Sequence, residues 1–187
     1  NVAAVVTERD ANWWSLRAQS LQCNELEKGY FNSGVLLINT LAWAQESVSA
    51  KAMSMLADKA VVSRLTYMDQ DILNLILLGK VKFIDAKYNT QFSLNYELKK
   101  SFICPINDET VLIHYVGPTK PWHYWAGYPS AQPFIKGKEA SPWKNEPLMR
   151  PMNSNYARYC AKHNFKQNKP INGIMNYIYY FYLKIIK

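Results

Sequence analysis

Apolar residues follow two rhythms along this chain. Short, mainly apolar runs at Val2–Val6, Val35–Ile38, Val81–Ile84 and Val111–Ile113 have the length and β-branched content of strands. The unbroken run Val35–Ile38 fits a strand buried on both faces. Between the runs the spacing widens to three and four. Leu41, Ala44, Val48, Ala52, Met55 and Leu56 predict an amphipathic helix with a core face, started by a cap at Asn39 or Thr40. Ile72, Leu73, Ile76 and Leu77 predict the buried stripe of a second helix, closed by Gly79. One of Asp69 and Asp71 caps its start, where a carboxylate also meets the positive end of the helix dipole. A strand–helix–helix–strand order predicts an α/β layered domain.

Elsewhere the patterns are weaker. Thr7–Asn24 is polar apart from Trp13 and Trp14, and reads as loop and short helix whose indoles either pack or line an acceptor site. Ala86–Leu94 is rich in aromatic and amide groups, a composition suited to contacting a sugar. Gln132–Gly137 and Tyr156–Phe165 predict short helices, the latter with Arg158 and Lys162 on one face. Ile171–Lys187 interleaves Tyr, Phe and Lys with Ile. It is too short to span a bilayer, and either packs on the protein's own core or lies in a headgroup region.

Composition narrows the class. With 187 residues, 49% of them hydrophobic, the chain is long enough for one domain with a real core and is not a disordered protein. Cys23, Cys104 and Cys160 are far apart. They form neither a zinc pattern nor an even-numbered disulfide framework, so a reducing cytoplasm is expected. No signal peptide or membrane-spanning run is visible. Opening directly in a strand-like segment, the chain reads as a piece of a longer protein.

Charge is unevenly distributed. Residues 1–135 carry 12 basic and 12 acidic side chains, whereas residues 136–187 carry 10 basic and 2 acidic ones. The whole formal charge of +8 therefore lies in the tail. A neutral body with a basic aromatic tail points to an anchor on an anionic membrane surface rather than to a nucleic-acid binder.

The chemistry-bearing groups cluster in three places. Val111–Trp122 carries a strand into His114, then a Gly117-Pro118 turn, then Lys120 ahead of Pro121 and Trp122. An imidazole can ligate a metal, glycine lets backbone approach a ligand, and a lysine ammonium is a point charge suited to phosphate. Tyr30–Asn39 places Asn32, Ser33 and Gly34 immediately before an apolar run. Tyr67–Gly79 opens with Asp69-Gln70-Asp71.

Y-F-N-S-G-V-L-L-I-N, then D-Q-D-I-L-N, then I-H-Y-x-G-P-T-K-P-W, in that order, resemble the motifs of glycosyltransferase family 8, in particular its lipopolysaccharide core hexosyltransferases. The resemblance covers about residues 1–135, and the basic tail, residues 136–187, resembles the subfamily's membrane-associating region. It implies a Rossmann-like GT-A fold, here the C-terminal portion, and a retaining enzyme. That enzyme would move glucose or galactose from UDP-glucose or UDP-galactose to the lipopolysaccharide core, with Mn²⁺ or Mg²⁺, on the cytoplasmic face of the inner membrane. By resemblance, Asn32, Ser33 and Gly34 contact the donor sugar, Asp69 and Gln70 lie by the anomeric carbon as the catalytic pair, His114 ligates the metal, and Gly117 and Lys120 contact the diphosphate. Asp69-Gln70-Asp71 is not the family's metal-binding D-x-D, which lies ahead of the segment that Val2–Val6 resembles. The chain is therefore expected to lack most of the nucleotide pocket, and activity is expected of a longer parent. The competing expectation is a non-catalytic fragment that binds membrane or lipopolysaccharide.

Overall fold

The apolar run Val2–Val6 at the start of the chain yields Ala3–Val5 (β1), the central strand of a three-stranded sheet in a computed structural model that describes residues 1–186. The chain divides into two units, Asn1–Asn89 and Thr90 onward. In the first, β1 is followed by Ala11–Leu21 (α1), which Asp10 caps by accepting from Trp13 N at 3.0 Å. This is a longer helix than the polar sequence suggested. Trp13 lies 5.0 Å from the Tyr30 ring and 5.5 Å from Tyr67, so it packs inside the unit. Trp14 donates its indole N–H to Glu8 O.

The strand expected at Val35–Ile38 is reduced to Leu37–Ile38 (β2), antiparallel to β1 with Ala3 opposite Ile38. It is an edge strand, and Leu37 is 72% exposed rather than buried on both faces. The helix expected next is broken in two, Thr40–Gln45 (α2) and Val48–Ala57 (α3), because Ser47 between them adopts the left-handed region at φ 51°. Asn39 caps α2 through Ala42 N at 3.1 Å. The break rotates the predicted stripe, so only Val48 of its members is buried, while Leu41 is 68% and Leu56 44% exposed. A short helix, Lys59–Val62 (α4), precedes Met68–Ile76 (α5). Helix α5 ends at a Leu77 cap, and Gly79 takes φ +70° in the turn beyond it. Val81–Phe83 (β3) then pairs parallel with β1, Val5 opposite Phe83. Val2, Ala3, Val5, Phe31, Val48 and Leu77 form the core beneath this sheet.

In the second unit Thr90–Phe92 (β4) and Ile113–Tyr115 (β5) form a parallel pair with Gln91 opposite His114. The strand lies two residues later than predicted, so His114 is inside it rather than after it, and Val111 is 64% exposed. Ala86–Leu94, where the apolar pattern is weak, holds a 3-10 turn and β4, with Phe92 and Leu94 fully buried. Gln132–Glu139 (α6) slightly exceeds its predicted span. Ser154–Lys166 (α7), capped by Asn153 through Tyr156 N at 2.8 Å, forms a hairpin with Pro170–Ile185 (α8). Gly173 of α8 passes so close to α7 that an added Cβ would meet the Phe165 ring at 2.6 Å. No helix among the described residues is long and apolar enough to cross a membrane.

Candidate active site

In the first unit the site is assembled by one helix gripping one loop. Val6–Glu8 and Tyr30–Asn32 run side by side, with Asn32 N donating to Val6 O at 3.0 Å and Glu8 N to Tyr30 O at 2.8 Å. Side chains at successive turns of α5 then take hold of the loop. Asn74 Oδ1 accepts from Phe31 N at 2.8 Å, and its Nδ2 donates to Phe31 O at 2.9 Å. Gln70 Oε1 accepts from Ser33 N at 3.1 Å and from Asn32 Nδ2 at 3.2 Å. Ser33 Oγ donates to Asp69 Oδ2 at 2.9 Å. Asn32, Ser33, Gly34, Asp69 and Gln70, which the sequence separates by some 36 positions, are thereby one cluster.

Within that cluster the roles divide by exposure. Asn32 and Gln70 are buried. Asn32 Nδ2 donates to Glu8 Oε2 at 2.6 Å as well as to Gln70, and its Oδ1 accepts from Gly34 N and Asn89 Nδ2, each at 3.0 Å. Both its donors and its acceptor are committed to holding the loop. Asp69 and Gly34 are exposed and Ser33 half-buried, so these present polar groups to solvent.

The two aspartates of Asp69-Gln70-Asp71 have separate fates. Asp71 is fully buried. It accepts from Arg17 Nη2 at 2.8 Å and Nε at 3.3 Å, Tyr30 O–H at 2.6 Å, Thr66 N at 2.7 Å and Tyr67 N at 2.8 Å. It is thus the structural member: it reaches back to the amides ahead of α5, as a carboxylate in the first turn does in a capping box, and ties α1 and the Tyr30 loop to the helix. Burial, then the bond to Asp71, pushes the Tyr30 hydroxyl pKa far above its ordinary value.

In the second unit β5 delivers His114 and runs into the glycine turn. Gly117 has φ +80°, and a Cβ there would meet Ser93 Oγ at 2.8 Å, so the turn favours glycine on both counts. Lys120 Nζ donates to Tyr115 O at 2.6 Å, which leaves two of its three N–H groups for an anion. Burial lowers the Lys120 pKa. Its backbone is fixed by His123, whose Nδ1 accepts from Lys120 N at 3.1 Å. His123 is buried against Trp125, ring centroids 4.2 Å apart, and its Nε2 has no hydrogen-bond partner among the described residues. Burial, then Lys120, pushes its pKa down to about 4. Beneath the turn, Thr119 bonds His163 Nε2 at 3.0 Å, Asn95 Oδ1 lies 3.2 Å from the same nitrogen, and Tyr128 O–H lies 2.7 Å from Nδ1. An acceptor at Nε2 places the ring proton there, so Nδ1 accepts from Tyr128. His163, fully buried, is likewise held near pKa 4, chiefly by burial.

His114 and Lys120 line one open groove of about 650 Å³, with Trp122 and Phe134 on its wall. The groove combines an imidazole ligand and a lysine, a donor set suited to a metal–diphosphate pair. Among the described residues no three His, Cys, Asp or Glu side chains gather into a metal site, so His114 would supply one ligand beside phosphate oxygens. Sequence patterns carried no sign of Glu8 or His163; Asn74 closes the D-Q-D-I-L-N motif, and Asn89 and Ser93 lie in the amide-rich Ala86–Leu94 segment, but nothing there marked them individually. His123 alone carried a signal, three residues beyond Lys120 at the spacing of a tight turn.

Comparison with known proteins decides the affiliation. Residues 1–126 match Glycosyl transferase family 8, and residues 128–184 match Glycosyl transferase family 8 C-terminal. The chain belongs to glycosyltransferase family 8. Among family 8 relatives it is 55% identical to "Lipopolysaccharide glucosyltransferase WaaO" of Escherichia coli K12 over 98% of its own length and 55% of the relative's. It is 50% identical to "Lipopolysaccharide 1,3-galactosyltransferase" of Salmonella typhimurium, over 100% of itself and 55% of that protein. The chain thus spans about half the length of these relatives. Its fold is the GT-A fold of the galactosyltransferase LgtC. A complex of that enzyme with donor and acceptor sugar analogues is 26% identical, with a TM-score of 0.56 over 76% of this chain and 52% of LgtC.

Proposed function

We propose that this chain carries the donor-sugar and diphosphate side of a retaining hexosyltransferase that moves glucose or galactose from a UDP-sugar to the lipopolysaccharide core. The clasp between Gln70, Asp69 and the Asn32–Gly34 loop carries the reading, because it sets an exposed carboxylate and hydroxyl on a rigid frame where a hexose can be held by its hydroxyls. Asp69 and Ser33 contact the sugar, Gly34 lets it approach, and Asn32 and Gln70 hold these groups in place beside it. His114 would hold a divalent cation, Mn²⁺ or Mg²⁺, with Gly117 and Lys120 on the diphosphate. The cation, when bound, supplies Lewis-acid stabilisation of the leaving group. Lys120 opposes the charge that develops on the departing oxygens.

Gln70 is a neutral amide, too weakly basic to be an activated nucleophile. The acceptor hydroxyl therefore attacks the face from which UDP departs, and the leaving diphosphate takes its proton. The basic tail docks on the cytoplasmic face of the inner membrane. Helix α8 presents Ile171, Ile174, Ile178, Phe181 and Ile185, each at least 53% exposed, at helical spacing, and the tail's net positive charge matches anionic lipid.

The test is UDP release and product formation by the longer natural protein with each UDP-hexose, Mn²⁺ or Mg²⁺, and a truncated lipopolysaccharide core. Acceptor-dependent transfer lost in Asp69→Asn and His114→Ala is expected. No transfer with any donor from a folded protein would leave the non-catalytic, lipopolysaccharide- or membrane-binding alternative. A glycosyl–Gln70 adduct found by mass spectrometry would overturn the same-face mechanism.

A further inference from the structure

The tail unit holds a second groove, of about 870 Å³, that no part of the proposed transfer chemistry uses. One wall is α8, through Asn172, Asn176 and Tyr179, and the other is the segment Pro147–Pro151, through Arg150. This second wall is a built feature. Met149 N donates to Trp122 O at 2.9 Å and Tyr124 N to Met149 O at 3.1 Å, which fastens the segment on either side of Met149, and Pro151 stiffens the backbone beyond Arg150. The α8 wall is equally fixed: Asn176 Nδ2 donates to Asn172 O at 2.8 Å and to the Tyr124 hydroxyl at 3.3 Å.

Among the described residues Arg150 is the one cation of the lining, and its guanidinium forms no ion pair or hydrogen bond with them. A guanidinium held without a carboxylate matches the planar oxygens of phosphate or carboxylate in a bidentate manner. Around it stand the Tyr124 and Tyr179 rings and proline faces, which stack on the C–H faces of a pyranose, and the Asn172 amide and Asn176 Oδ1, which pair with hydroxyls. Met175 and Tyr179 also border the exposed apolar stripe of α8. One helix therefore offers a polar, cationic groove beside an apolar edge, the polarity sequence of an anionic glycolipid.

We propose that this groove binds an anionic oligosaccharide, namely a phosphate- or carboxylate-bearing part of the lipopolysaccharide acceptor remote from the sugar that is glycosylated. The proposal rests on the transferase reading for the identity of the ligand, but its test does not. Deacylated lipopolysaccharide oligosaccharide, before and after phosphatase treatment, is titrated against the 187-residue chain and its Arg150→Gln and Tyr179→Ser variants. Both positions are exposed, and circular dichroism melts verify that the variants stay folded.

The wild-type chain is expected to bind the phosphorylated sugar about tenfold more tightly than Arg150→Gln does, as loss of a charged hydrogen-bond donor implies. Phosphatase treatment should reduce wild-type binding to the Arg150→Gln level where the anion read is a phosphate and leave it unchanged where it is a carboxylate, and Tyr179→Ser should weaken binding of both forms. Absence of binding by the wild-type chain, or equal affinity of Arg150→Gln for the phosphorylated sugar, overturns the proposal. So does a loss confined to binding of phosphatidylglycerol vesicles, which would make the groove a lipid-headgroup site. Arg150-dependent sugar binding with no transfer by the longer protein removes the transferase and keeps the groove. Transfer with an acceptor KM unchanged by Arg150→Gln does the reverse.

Discussion

Replacing each aspartate of Asp69-Gln70-Asp71 by asparagine separates fold from chemistry. Asp71→Asn keeps the shape of a fully buried side chain but removes its charge and one of its two acceptor oxygens. Five hydrogen bonds converge on that carboxylate, two of them from Arg17, and Arg17 is itself buried. Removing one partner of a buried ion pair leaves the other uncompensated and costs about 3–5 kcal/mol. Spread over a unit of this size, that lowers the melting temperature by more than about 10 °C. Asp69→Asn touches an exposed group with one hydroxyl partner, so it should move stability by no more than about 0.5 kcal/mol while abolishing transfer in the longer protein. Thermal melts by far-ultraviolet circular dichroism, with urea titrations for the free-energy difference, read both. An Asp71→Asn chain that melts within about 2 °C of wild type, about 0.5 kcal/mol by the same scaling, or an Asp69→Asn chain destabilised as much as Asp71→Asn, would refute the division of roles.

Three further outcomes follow from the geometry. His123 and His163, each held near pKa 4 by burial, titrate near 6.5 when unfolded. The stability they contribute as neutral groups is present in full above about pH 6.5 and is lost as pH falls toward 4, by on the order of 3 kcal/mol for each. Urea midpoints across that range should fall, and fall less steeply in His163→Gln. Gly117→Ala forces a side chain into φ +80° and should cost about 1–2 kcal/mol, seen as a lower melting temperature; an unchanged melt would contradict the turn geometry. Ile174→Ser with Phe181→Ser should reduce sedimentation with phosphatidylglycerol vesicles, and wild-type binding should weaken as salt rises.

What the sequence reveals here is order and rhythm more than position. The α5 stripe was readable because Ile72 and Leu77 sit on one face of an uninterrupted helix. The α2–α3 break was not, because Ser47 in the left-handed region is a conformational choice that no apolar spacing records. Leu37 looked buried because runs of four apolar residues usually are, yet it lies on an edge strand and is 72% exposed. At the site, the residue types at Asn32, Asp69, Gln70, His114 and Lys120 stood out in their motifs. Their support was less visible: Asn74 closes its motif without a stated role, and Glu8 and Asn89 reach the loop from positions that no motif marks. Neither aspartate is the N-cap of α5, which is Tyr67 without a side-chain cap bond; Asp71 instead reaches back to Thr66 N and Tyr67 N from inside the first turn, held by Arg17, 54 positions away, which no local pattern records.

The close crossing at Gly173 bears on how α8 would meet a membrane. An isolated amphipathic peptide reaches a bilayer as coil and must order itself there, so its partitioning is slow to specify orientation. With Gly173 wedged against Phe165 and Tyr177 resting 5.9 Å from the same ring, α8 is already helical and already fixed to α7. Arrival at a lipid surface would leave the helical content unchanged and would set the roll of the second unit about the α8 axis in a single step. On a membrane the hairpin would thus act as a keel, limiting the angles at which a bound molecule can roll.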